Sequence, residues 1–123
     1  MNIDCLTGFV LEGCRFSRSS YTFEFSGQYE DKFRTFLVST SYNFSMSKSV
    51  VMDSCEKFSS DIWPVLEKAI TSIVIETENG TSRVIFNFDE DESNYFIVWS
   101  EEPLIDNLLI VTEQGTDNWF SVC

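Results

Sequence analysis

Carboxylates and thiols are the first residues to examine for chemistry in this 123-residue sequence, which contains no histidine. Without an imidazole there is no Ser-His-Asp or Cys-His nucleophile pair, no histidine general acid–base and no ordinary mononuclear zinc hydrolase site. The five glycines stand singly and form no phosphate-cradling loop. Twenty acids leave a glycosidase-like carboxylate pair open, since that chemistry needs only two acids flanking a groove. No spacing selects one pair over another. The chain is therefore expected not to be an enzyme and to carry no cofactor.

The remaining candidates point the same way. Cys5, Cys14, Cys55 and Cys123 include no Cys-x-x-Cys pair, the spacing from which four-cysteine zinc sites are usually built. Four reduced thiols are expected. The acidic run Asp89, Glu90, Asp91, Glu92 invites a calcium reading. A calcium loop starting at Asp89 needs glycine at its sixth position and glutamate at its twelfth; those positions hold Asn94 and Ser100. The run reads instead as a solvated loop. Trp63, Trp99 and Trp119 are candidate interface anchors, because tryptophan is enriched at binding hot spots. Trp99 sits inside an apolar run and suits a core; Trp119, close to Asp117, suits either role.

Charge gives the chain a direction. Net charge is −12, and residues 60–123 hold thirteen acids against two bases; beyond Arg83 there are nine acids and no base. Nucleic acid and anionic membrane surfaces both demand Lys and Arg, so neither is an expected partner. A basic protein surface is the natural complement. The simpler reading, that the acids keep a small domain soluble, explains the net charge but not its asymmetry.

These residues must be held by a fold, and the length fits one domain, 1–123. The N-terminus lacks a basic cluster followed by an apolar run, and no apolar stretch approaches the roughly 18 residues of a membrane helix. A cytoplasmic protein is expected. Twelve phenylalanines favour strands, since bulky aromatics pack across a pleated surface. Strands are expected over residues 6–11 and 14–17, joined near Gly13, over 21–25 before a Gly27-Gln28 turn, and over 33–40 and 42–46. Ile62, Val65, Leu66, Ala69, Ile70 and Ile73 have helical spacing, with Asp61 as cap. The pattern predicts one amphipathic helix near 62–72. The second half reads as an antiparallel meander: 72–78, an Asn79-Gly80 turn, 81–88, 94–100, 108–113 and 118–122. The apolar runs at 95–99 and 108–111 suggest strands buried on both faces. The expected class is α+β with a mainly antiparallel sheet.

In its short length, its acidity, the Gly8-containing opening strand, the aromatic strand from Tyr21 to Gly27 and the Asp106-Asn107-Leu108-Leu109 start of a late strand, the chain resembles immunity proteins of contact-dependent growth inhibition and related polymorphic toxin systems. The resemblance implies a small cytoplasmic inhibitor that binds a toxin domain. It carries over no individual residue. On a single meander, the 89–93 loop and the 114–117 turn share one end, which gathers Asp89, Glu90, Asp91, Glu92, Glu113 and Asp117 as partner-binding acids; Glu101 and Glu102 lie at the other. Two other readings remain: a β-barrel with an aromatic-lined pocket for an apolar small molecule, and an acidic mimic of nucleic acid.

Overall fold

The computed structural model describes residues 2–18, 20–41, 43–46, 65–78, 81–88, 95–99 and 108–122. After a short 3-10 helix, Ile3–Leu6, nine strands follow among them: β1 Val10–Phe16, β2 Tyr21–Tyr29, β3 Lys32–Thr40, β4 Asn43–Met46, β5 Ser72–Glu78, β6 Thr81–Asn87, β7 Tyr95–Trp99, β8 Leu109–Glu113 and β9 Trp119–Val122. They form two sheets, ordered β1-β2-β3-β8-β9 and β4-β7-β6-β5. Every strand pair is antiparallel.

Alternation decides which side chains meet between the sheets. Phe23 and Phe25 of β2, Phe36 and Val38 of β3, and Leu109 and Val111 of β8 share one face and are fully buried. Val84 and Phe86 of β6 and Val98 of β7 complete the same core from the other sheet. The rings of Phe25 and Phe86 stack across the gap, 6.0 Å between centroids. The architecture is a two-layer β-sandwich. Thr40, buried at the end of β3, donates its hydroxyl to the Leu108 carbonyl at 2.9 Å and ties β3 to the start of β8.

The expected helix is not present over residues 65–72; residues 61–64 lie outside those described. A single turn forms at Val65, closed by Lys68 N–H donating to the Val65 carbonyl at 3.1 Å. Glu67 then adopts a positive φ of 66°, and the chain runs extended beside the N-terminal segment. Gly8 N–H donates to the Ile70 carbonyl, Ile70 N–H to the Phe9 carbonyl and Glu67 N–H to the Leu11 carbonyl, at 2.8, 2.8 and 2.7 Å. Val65 and Ile70 still reach the core, whereas Ala69 is exposed. Backbone partners supplied by a distant part of the chain outweigh helix propensity, which is a weak preference. Among the described residues no helix is long and apolar enough to cross a membrane.

The second half is also not one meander. β5, β6 and β7 form one, but β8 and β9 cross to the other sheet and pair beside β3. Nor is β8 covered on both faces: Ile110 stands out to solvent between buried Leu109 and Val111. The Asn79-Gly80 turn lies outside the described residues, although Glu78 pairs with Thr81 around it.

Two glycines behave differently from the sequence expectation. Gly13 does not separate two strands; β1 runs through it with a bulge between Leu11 and Gly13. Gly27 is not a turn residue. It pairs with Arg34 inside the β2–β3 ladder, and a Cβ there would lie 2.7 Å from the ring of buried Phe9. The turn falls later, at Glu30 and Asp31, both with positive φ (55° and 61°) between the paired Tyr29 and Lys32. That is the backbone of a two-residue hairpin turn matched to strand twist. Gly27→Ala should therefore destabilise the fold by about 1–3 kcal/mol through overpacking, measured by urea unfolding. Combining it with Phe9→Leu should cost less than the two single changes added together. Full additivity would mean that Phe9 is not what makes the position small.

Candidate functional site

β3 and β8 run antiparallel, so the start of one lies beside the end of the other: Phe36 pairs with Glu113, and Gln114 N–H donates to the Thr35 carbonyl at 2.8 Å. The β2–β3 turn and the β8–β9 turn are consequently neighbours at one end of the five-stranded sheet. Residues 30–33 and 114–119 are all exposed, giving three acids there (Glu30, Asp31 and Asp117) against one lysine, Lys32.

Glu113 organises this end rather than decorating it. Its side chain is only 6% exposed and faces Arg34, 3.6 Å away. Its backbone N–H donates to the Asn118 carbonyl at 3.0 Å, its carbonyl accepts the Thr116 hydroxyl at 3.1 Å, and its Oε2 accepts Asn118 Nδ2 at 3.1 Å. Gly115, at φ 82°, lets the turn close. Arg34, 15% exposed, also pairs with Glu30 at 3.5 Å and lies over the Tyr29 ring at 5.4 Å. One cation thus joins both turns. Its Nε is buried without a hydrogen-bond partner among the described residues.

On the face turned away from the core, Leu37, Thr112 and Trp119 occupy one row across three strands. Ile110 lies diagonal to both Leu37 and Trp119, within reach of large side chains. Trp119 is 65% and Ile110 41% exposed, and Leu37 is half-buried. Hydroxyls and one acid surround them: Ser39 pairs with Ile110, Ser121 pairs with Ile110 from the other side, Thr22 hydrogen-bonds Ser39 at 3.3 Å, and Glu24 pairs with Leu37. Phe33, 66% exposed, stands on the same face further along β3.

Of the acids expected to meet a partner, Asp117 is on the exposed turn and Glu113 is turned into the fold. Asp89, Glu90, Asp91, Glu92, Glu101 and Glu102 lie outside the described residues. The premise that put the 89–93 loop beside the 114–117 turn does not hold, because β6 and β7 belong to one sheet and β8 and β9 to the other. The sequence reading missed Phe33, Ile110, Glu30 and Asp31. Strand parity was the available signal: Phe33 and Leu37 are out of phase with Phe36 and Val38. Elsewhere, Glu76 pairs with Arg83 across β5 and β6. The side chain of Trp99 and all of Trp63 lie outside what is described.

Cys5 and Cys14 are free thiols, and Cys55 and Cys123 lie outside the described residues. Burial pushes the Cys14 thiol from 9.0 up to about 11. It also raises Cys5, against the opposing pull of nearby positive charge that includes Arg34. Neither is an activated nucleophile. No protein-family model matches this chain, no curated protein matches its sequence and no solved structure matches its fold.

Removing the cation strands a buried carboxylate. Arg34→Met should cost about 3 kcal/mol in urea unfolding at neutral pH. Adding Glu113→Gln, which keeps an acceptor for Asn118, should recover a large part of that loss. A cost below about 1 kcal/mol for the single variant would show that water, not Arg34, compensates Glu113.

The thiols make a second prediction. Well below pH 9 Cys14 is neutral in both the folded and unfolded chain. Between about 9 and about 11 the unfolded thiol ionises first, so folding stability should fall as pH rises through that window. Alkylation of Cys14 by iodoacetamide, followed by peptide mass spectrometry, should keep accelerating towards pH 11. A plateau near pH 9 would contradict the burial.

Proposed function

We propose that this protein is a non-catalytic immunity protein: a cytoplasmic inhibitor that binds and neutralises a basic toxin domain. The observation that carries this reading is the charge asymmetry, a second half with thirteen acids and two bases and no base after Arg83. Such a field speeds encounter with a basic partner and repels nucleic acid. The acids of the 89–92 run, with Glu101 and Glu102, add to that field. An exposed tryptophan beside Asp117 supports the same reading, because tryptophan is a frequent interface anchor.

A small-molecule reading has one observation in its favour. The outer face of the four-stranded sheet forms an open concavity of about 480 Å³, with Val74, Ile85 and Ile97 on its floor and the Glu76–Arg83 pair at its side. The aromatic pocket that the phenylalanine content suggested draws no support from the core. Phe9, Phe23, Phe25, Phe36, Phe86 and Phe88, half of the twelve, are buried there. Packing accounts for that half of the phenylalanines.

The inhibitor reading is tested by co-expression. The C-terminal domain encoded directly upstream should arrest growth when produced alone, and co-production of this chain should restore it. A purified complex with 1:1 mass should form. Continued arrest despite folded chain, or a harmless upstream product, would overturn the proposal.

A further inference from the structure

We infer that the outer face of the five-stranded sheet, centred on Trp119, Ile110 and Leu37 and bordered by Glu30, Asp31 and Asp117, is the docking surface for a basic protein partner. The inference rests on the inhibitor reading above and assigns it a place on the molecule.

Three observations converge on this face. The first is apolar exposure where sheet alternation would allow polar residues. Trp119 and Ile110, 65% and 41% exposed, flank Thr112 with Leu37 on its other side. An apolar centre with hydroxyls beside it and Glu24 next to Leu37 on the β2 side has the composition of an interface, an apolar core with a polar rim. The second is the border. The acids sit on two turns at one end and outnumber the bases there, Glu30, Asp31, Glu113 and Asp117 against Arg34 and Lys32, with Arg34 held between Glu30 and Glu113. The complement of that border is cationic. The third is rigidity. The turn presenting Asp117 and Trp119 is fixed by the Glu113 bonds to Thr116 and Asn118 and by Gln114 to Thr35, so little ordering entropy is lost on binding. Phe33 stands roughly 17 Å from Trp119, two strands across and four positions along. It extends the surface towards the Glu30-Asp31 turn.

The occupant is a protein rather than a small molecule, because the exposed apolar residues are spread over roughly 17 Å of sheet surface from Phe33 to Trp119. It is not a second copy, since the bordering acids would then confront a molecule of net charge −12.

The roles of centre and border separate kinetically. Trp119→Ala and Ile110→Ser should each weaken binding to the toxin domain at least about tenfold, through faster dissociation. The combined Glu30→Gln, Asp31→Asn, Asp117→Asn variant should slow association about tenfold at low salt, with the deficit shrinking towards 0.5 M salt. Ile85→Ser, on the outer face of the other sheet, serves as control and should leave both rates unchanged. Binding is read by surface plasmon resonance, and folding of each variant by its urea midpoint. If the wild-type chain binds and the Trp119 and Ile110 variants bind within twofold of it, this surface is wrong while the inhibitor reading stands. If the wild-type chain does not bind the toxin domain, both fall.

Discussion

Phe9 packs so closely on the bare backbone of Gly27 that a methyl group there would meet its ring at 2.7 Å. The rest of the sandwich is built outward from that contact. Phe9 meets Phe36 at 5.6 Å between centroids, which brings the N-terminal segment down onto the centre of the five-stranded sheet. Phe25 reaches Phe86 across the gap. Each buried phenylalanine contributes about 2 kcal/mol of transfer free energy. The same contact determines what the 65–70 segment does. With Gly8 and Phe9 held against the sheet, their backbone groups face a chain that can satisfy them, and Ile70 supplies the partners. A helix there would leave those groups unpaired beside the core, at a cost exceeding what propensity returns.

Arg34 is the second constraint, and it links the interior to the surface. It sits on the core face of β3, at the position where the hydrophobic gap ends, and holds Glu113 of β8 and Glu30 of the neighbouring turn. Buried ion pairs contribute little net stability against apolar replacements, but they penalise misalignment heavily. Here the alignment in question is the register of β3 against β8. A slip of one residue would turn Arg34 outward and leave Glu113 buried alone. The geometry that places Asp117 and Trp119 in solvent therefore depends on a charge pair beneath them.

The acidity of the chain acts at a different range. Charges within one turn decide local geometry, as with Glu113, Asn118 and Thr116. The excess of acids in the second half acts over about a Debye length, roughly 8–10 Å at physiological salt, and governs which molecules approach. The apolar outer face of the five-stranded sheet, with Glu24 and hydroxyls beside it, lies within that range of the acids on its two turns.

Local pattern determined a great deal. The strands over 21–29, 32–40, 72–78, 81–87, 95–99, 109–113 and 119–122 were legible within a few residues, because alternation and β-branched or aromatic content act locally. Antiparallel pairing followed from short connections. The exposed Asp117 and an ambiguous Trp119 were also visible. Tertiary structure alone decided the rest. The spacing from Val65 to Ile73 is helical on paper, yet an extended chain buries Val65 and Ile70 equally well once residues 8–11 offer hydrogen bonds. Sequence periodicity reports which residues seek burial, not which backbone will supply their partners. β8 follows β7 in the chain but joins the opposite sheet, and alternation is identical in either sheet. Glu113 counted as one acid among nine after Arg83. It became an internal ligand of Arg34 only because strands nearly eighty residues apart in sequence are neighbours in space, a contact that no local reading of charge contains.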